Sequence, residues 1–234
     1  MSDHAALAVR INATRALLGD IVSEFSRPVF STSFGAEDMV LFDLIARDFR
    51  GIAIATLDTG RLPPETYQLW QQAIERYRFK VEPFFPEAPA VEQYVRIYGV
   101  NGFYNSVTER KACCEVRKVE PLKRLLVGRD AWITGLRRGQ SQQRAQVAFR
   151  ETDVNSGLAK FNPLADWSEQ DVWQYLHEHN VPTHALHAQG YPSIGCAPCT
   201  RAVAPGEDLR AGRWWWESDA QKECGLHVAA EASA

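Results

Sequence analysis

Long apolar runs are missing from this sequence. Nowhere do eighteen apolar residues follow one another, so no membrane-spanning helix is expected. An excess of charge of one sign is missing too. Twenty-six Lys and Arg stand against 29 Asp and Glu, a net charge of −3. That balance disfavours bulk nucleic-acid binding, and any anion site must come from a local cluster of cations. Residues Met1 to Arg10 hold no basic start followed by an apolar block, and no secretory signal is expected. Cysteine is sparse, five in 234 residues. In the cytoplasmic setting these features point to, thiols serve metals or catalysis rather than structural disulfides. Two nucleotide fingerprints are also absent: no Gly-Lys-Ser/Thr ends a Walker loop, and no stretch repeats glycine as a dinucleotide turn does. There is no internal repeat, and only the Ala-rich end is of low complexity.

What is present suits one α/β domain, with 45% apolar and 24% charged residues. Leu7, Val9, Ile11, Leu17, Leu18, Ile21, Val22 and Phe25 fall at helical spacing, and Arg27-Pro28 ends that helix. Residues 29–33 then predict a strand, 39–49 a helix and 52–57 a second strand, apolar on both faces as a buried parallel strand is. A helix opening at Pro63-Pro64 and running to Tyr77, a strand over 80–84 and a helix over 91–98 continue the alternation. A fourth strand is expected over 131–134, with short ones over 146–149 and 158–161. A last helix spans 167–179, with Val172, Trp173 and Leu176 on one face and a cap from Ser168 and Asp171. Alternating strands and helices predict a mostly parallel sheet flanked by helices. The domain is expected over 1–204, followed by a mobile tail over 205–234.

Five places hold candidate chemistry. Ser31-Thr32-Ser33-Phe34-Gly35-Ala36-Glu37-Asp38 brings hydroxyls and free N–H groups to a helix start, which is either a phosphate cradle or a plain turn capped by Ser33. Leu57-Asp58-Thr59-Gly60-Arg61 lies at the carboxyl end of the second strand, where open parallel sheets bind ligands; the alternative is a tight turn that uses Gly60. Cys113-Cys114 and Cys196-x-x-Cys199 could converge on a metal or remain buried thiols. Neighbouring Cα atoms are about 3.8 Å apart, short of the roughly 4.4 to 6.8 Å of a disulfide. The adjacent pair therefore suits a cubane cluster better than a single tetrahedral zinc ion. Cys224 in Glu-Cys-Gly-Leu-His is left over: a reactive thiolate helped by His227, Arg210 and Arg213, or an incidental tail cysteine. Finally Lys118 follows the cysteine pair, and a basic loop with Arg137 and Arg144 follows the fourth strand. Both are candidates to hold an anion, against solvated turns.

Taken together, Ser-Phe-Gly-Ala-Glu-Asp, Leu-Asp-Thr-Gly-Arg, Cys-Cys-x-x-Arg-Lys, Gly-Leu-Arg-Arg-x-Gln-Ser, Asn162-Pro163-Leu164 through Trp167, Gly-Cys-x-Pro-Cys-Thr and Glu-Cys-Gly-Leu-His span almost the whole chain. In these motifs it resembles the assimilatory adenylyl-sulfate (APS) and phosphoadenylyl-sulfate (PAPS) reductases, which have the PP-loop, adenine-nucleotide hydrolase-like fold. The resemblance implies that Cys224 is the nucleophile. It also implies that Cys113, Cys114, Cys196 and Cys199 hold a [4Fe–4S] cluster, the mark of the APS-using branch. Adenosine is then expected at Ser31, Ser33, Phe34, Gly35, Ala36 and Glu37 and at Leu57, Asp58, Thr59, Gly60 and Arg61. The phosphosulfate is expected at Lys118, Arg144, Arg210 and Arg213, with Arg137 and His227 as further substrate-binding residues, and thioredoxin as the reductant. The Ser-Gly-Gly of ATP-cleaving PP-loop ligases and thiolases is absent. A zinc or cluster module that binds nucleic acid would need a basic stripe, also absent. The oligomeric state is left open, a homo-oligomer included.

Overall fold

The chain is described by a computed structural model over residues 3–218 and Leu226. At its centre is strand β1 (Pro28–Thr32), with Val29 and Phe30 fully buried. On one side β1 pairs in parallel with β2 (Ala53–Leu57), which pairs with β3 (Val81–Phe84). On the other side it pairs with β4 (Ala131–Ile133). Beyond β4 lie β6 (Ala159–Phe161), still parallel, and the antiparallel edge strand β5 (Arg150–Thr152). The sheet order is β3-β2-β1-β4-β6-β5. After β1 the chain builds outward through β2 and β3, then returns to the other side of β1 to form β4. The loops leaving β1 and β4 therefore diverge and open a crevice at their carboxyl ends, where ligands of open α/β sheets bind.

Alternate side chains divide between two cores, as the strand repeat of two requires. Phe30, Ile54, Ile133 and Phe161 face the larger core. That core is closed by residues of α1 (Asp3–Glu24), α2 (Ala36–Asp48), α3 (Pro64–Tyr77) and α7 (Glu169–Glu178). Val29, Ala55 and Trp132 face a smaller cluster with Leu122, Leu125 and Leu126. Helix α4 (Ala88–Tyr98) supplies Tyr94 to a third cluster, which includes Phe103, Cys113, Cys196, Cys199 and Trp214. Among the described residues no helix is long and apolar enough to cross a membrane.

Several expectations shift in detail. The edge strand forms at 150–152 rather than 146–149. In α7 the cap forms as the sequence predicts: Ser168 Oγ accepts from Asp171 N–H at 3.1 Å, and Asp171 accepts from Ser168 N–H at 2.7 Å. Its buried face is Val172, Tyr175 and Leu176, while Trp173 stays exposed. The segment 107–126, given no element by its pattern, is helical throughout. Helix α5 (Val107–Cys114) runs through a π turn at Glu115–Val119 into α6 (Glu120–Leu126). Pro121, in the first turn of α6, has no N–H to continue α-helical bonding. A π turn widens the helix by a residue and re-aims the side chains it carries, here Arg117 and Lys118.

Candidate functional site

A cleft of ≈ 600 Å³ opens at the carboxyl ends of β1, β2 and β4, within the range of small-molecule sites. Its floor is the loop after β1. Phe34 there has φ +61°, a left-handed conformation uncommon for a bulky residue. The twist turns its ring into the core, stacked 5.8 Å from Trp70 and tilted 6.3 Å from Phe42. Gly35, Ala36 and Glu37 are thereby left along the cleft at the start of α2. Ser31 and Ser33 line it too. Ser31 Oγ accepts from the Trp132 indole at 2.8 Å. The N–H and hydroxyl of Ser33 donate to Asp38 at 2.5 and 2.8 Å. Burial pushes the Asp38 carboxyl up to about 6, against the lowering by Ser33. The sequence did not single out Asp38, although its place in the helix's first turn was the signal.

The turn after β2 divides its residues between two sites. Leu57 and Thr59 line the cleft, whereas Asp58, Gly60 and Arg61 lie off its wall. Asp58 accepts from Gly60 N–H at 2.8 Å and from the Tyr67 hydroxyl at 2.9 Å. Gly60 has φ +69°, which holds this tight turn. Arg61 donates to the Val100 carbonyl at 2.7 Å and lies 5.0 Å from the Phe103 ring centroid.

Cations gather at the cleft from separate elements. Arg137, 3% exposed, is paired with Glu37 at 2.8 Å and donates to the Trp167 carbonyl. Arg144 donates to Gln140 at 2.7 Å. Lys118 comes from the π turn, and Arg210 and Arg213 from the last described segment. Arg213 is 7% exposed, has no carboxylate partner among the described residues, and leaves its Nε without an acceptor. A buried cation of this kind calls for an anion. Leu226 also lines the cleft, packed on the cluster of Leu122 and Trp132. Cys224 and His227 lie outside the described residues. The sequence did not mark His187 either: its Nδ1 is 2.8 Å from the Tyr191 carbonyl, its Nε2 is buried without a partner among the described residues, and burial lowers its pKa.

Cys113, Cys114, Cys196 and Cys199 line one small cavity next to the cleft, and Lys118 and Trp214 wall both. Arg61, Arg110 and Arg117 surround the cysteines. Burial raises the Cys113 thiol and takes Cys199 up to about 12, so without a bound cation these sulfurs keep their protons. Among the described residues no three His, Cys, Asp or Glu side chains converge as one metal ion needs. A cluster differs, since each thiolate takes its own iron and the sulfurs need not meet at a point. Trp214 keeps an indole N–H buried with no acceptor among the described residues, which an anionic group beside it would satisfy. Four thiols, a ring of cations and this orphaned donor suit an anionic iron–sulfur cluster.

The family model described as "Phosphoadenosine phosphosulfate reductase domain" matches residues 27–202. The chain is 55% identical to a protein of Allochromatium vinosum named adenosine 5'-phosphosulfate reductase, over 94% of this chain and 86% of that one. It is 51% identical to a protein of the same name from Burkholderia cepacia, over 95% and 89%. The crystal structure of the phosphoadenylyl-sulfate (PAPS) reductase of Candida auris, a phosphate complex, superposes with a TM-score of 0.70 at 26% identity. It covers 81% of this chain and 90% of that one.

Proposed function

The chain belongs to the phosphoadenosine phosphosulfate reductase domain family, and from that premise we propose that it reduces adenosine 5'-phosphosulfate to sulfite and AMP in sulfate assimilation. One observation carries the assignment: four cysteines from two distant segments line a cavity that shares Lys118 and Trp214 with the nucleotide-sized cleft. The adenosine lies against Leu57, Thr59 and the loop from Ser31 to Glu37. The phosphosulfate meets Lys118, Arg144, Arg210 and Arg213, with His227 closing from the tail. Cys113, Cys114, Cys196 and Cys199 would hold a [4Fe–4S] cluster, which supplies a fixed anionic body beside Lys118 when bound.

Residues 205–234 form the tail that delivers Cys224. Leu226, two residues further along, supports this by its place on the cleft wall. The Cys224 thiolate attacks the sulfuryl sulfur, an S–S bond forms, and the bond from sulfur to the phosphate oxygen breaks. AMP leaves with that electron pair, and fixed cations stabilise the charge that builds on it. The enzyme is left as an S-sulfonate, a covalent intermediate of ordinary nucleophilic catalysis. One thiolate of thioredoxin then attacks the Cys224 sulfur and sulfite departs. The second thioredoxin thiol resolves the mixed disulfide and restores Cys224. The dithiol supplies both electrons that take sulfur from sulfate to sulfite level. The whole cycle belongs in the cytoplasm, where thioredoxin is kept reduced.

The test is Cys224→Ser incubated with APS and followed by mass spectrometry of the intact chain. The parent is expected to gain a sulfonate and the variant none. A sulfonate that persists on the variant would end the assignment.

A further inference from the structure

Arg110 and Arg213 share one aromatic ring. Each guanidinium carbon lies 4.7 Å from the centroid of Trp214, and all three side chains are buried. The two cations are compensated very differently. Arg110 donates twice to Glu217, Nε to Oε1 at 2.9 Å and Nη2 to Oε2 at 2.7 Å, with side-chain exposures of 1% and 3%. Arg213 has no such partner among the described residues. Its bonds to the Ile194 carbonyl and Ser193 hydroxyl are long, 3.3 and 3.4 Å. Without Glu217, the Arg110 guanidinium would lose its carboxylate while facing the same ring as Arg213 in a poorly screened interior, and the two cations would repel each other more strongly.

The backbone between them is clasped at several points. Trp214 has φ +42°, a conformation that a bulky residue holds only when its surroundings impose it. Its N–H donates to the Cys199 carbonyl at 3.2 Å, and Glu217 N–H donates to the Trp214 carbonyl at 2.8 Å. Arg213 forms an isolated β-bridge with Thr200. The turn is thus tied to the cysteine loop at one end and to α5 at the other.

We propose that Glu217 and Trp214 are positioning residues for Arg213. The Arg110–Glu217 pair pins the turn from Arg213 to Glu217 against α5 and cancels the charge of Arg110. Trp214 then holds the Arg213 guanidinium at the cleft, where the anionic end of a sulfonucleotide must lie. Glu217 is not on the cleft wall and acts through Arg213. This rests on the function proposed above and adds the residues that set its affinity for the anionic group.

The test is calorimetric titration of the full chain in a Cys224→Ser background, which binds without turnover, with APS and with uncharged adenosine as probes. Glu217→Gln is expected to weaken APS by about tenfold and to leave adenosine unchanged. Trp214→Leu is expected to give the same split, and Trp214→Phe, which keeps an aromatic face, to recover most of the loss. Should Glu217→Gln fail to fold, the two Trp214 variants decide alone. The inference is overturned if APS affinity is unaltered, if APS and adenosine weaken together, or if the Phe variant is no better than the Leu variant. A parent that binds no APS overturns the proposed function itself; a parent that binds it beside variants without the split overturns only the positioning role.

Discussion

Thr59 Oγ1 lies 3.2 Å from Cys196 Sγ, joining the end of β2 to the cysteine loop. Both residues are buried. The hydroxyl already accepts the Arg61 N–H at 3.2 Å, so its own proton is available to the sulfur. A hydrogen bond at that place holds the sulfur where the cavity needs it. Thr59→Val keeps the shape and removes the donor. The variant is expected to lose about 1–2 kcal/mol of stability and to release iron faster to a chelator than the parent. Urea denaturation and the rate of iron loss check the two effects.

Asp38 gives a pH dependence with a definite sign. Its carboxyl stands at about 6 in the fold, against 3.8 as the ordinary value, because burial disfavours the charge. Between those values the folded state binds the proton more tightly than the unfolded state, so the contribution of Asp38 to stability falls as pH rises from about 4 to about 6. The size is on the order of 2–3 kcal/mol. Asp38→Asn still offers an oxygen to Ser33 and carries no titration. Its stability relative to the parent is expected to improve by that amount between pH 4 and pH 7, in urea denaturations across the range. A constant difference across the range would assign the pH dependence to other groups.

The five parallel strands were legible because short runs such as Ile52 to Leu57 combine β-branched and apolar residues with turn residues at their ends; the antiparallel edge strand, with its charged Arg150 and Glu151, was placed a few residues too early. The cysteine pairs were legible because their chemistry lies in the residue type. The helix through 107–126 was not. Arg110 and Arg117 are buried there, which breaks the apolar period. Each is satisfied by a distant partner, Glu217 and the Thr59 carbonyl. Phe34 hid its direction for a related reason. Only its left-handed φ, imposed by the loop, carries the ring away from the cleft and into the core. Asp58, Gly60 and Arg61 belong to the same motif as Thr59, yet the tight turn gives them other neighbours than the cleft.

The cysteine cavity predicts a metal content. Protein purified without oxygen is expected to carry iron and acid-labile sulfide in equal amounts and no zinc, by elemental and sulfide analysis. Cys113→Ser removes one sulfur from an adjacent pair and should lower both together. Burial holds the Cys199 thiol up to about 12 in the absence of a cation, so reconstitution from iron and sulfide must expel protons and should proceed further at pH 8 than at pH 6. Zinc in place of iron, or equal loading at both pH values, would count against a thiolate cluster.

Gly195 separates the stability of the cysteine loop from the placement of Arg213. A methyl group built on Gly195 would overlap the Arg213 guanidinium, the far end of a flexible side chain rather than backbone. Gly195→Ala therefore asks one group to move and leaves the loop's own bonds, such as Thr200 Oγ1 to the Cys196 carbonyl at 2.9 Å, in place. Stability is expected to change by less than about 1 kcal/mol. On the proposed function the guanidinium is pushed from where it would meet the anionic group, so kcat/KM for APS should fall by roughly 10- to 100-fold, a loss of about 1.4 to 3 kcal/mol in transition-state stabilisation. In a preformed S-sulfonate the nucleotide has already left and the sulfonate is carried on Cys224, so its release as sulfite by thioredoxin should keep its rate. Steady-state assays with APS, beside single-turnover discharge of the adduct, give the two numbers. Equal slowing of both steps would mean that the alanine disturbs the whole loop and not the cation alone.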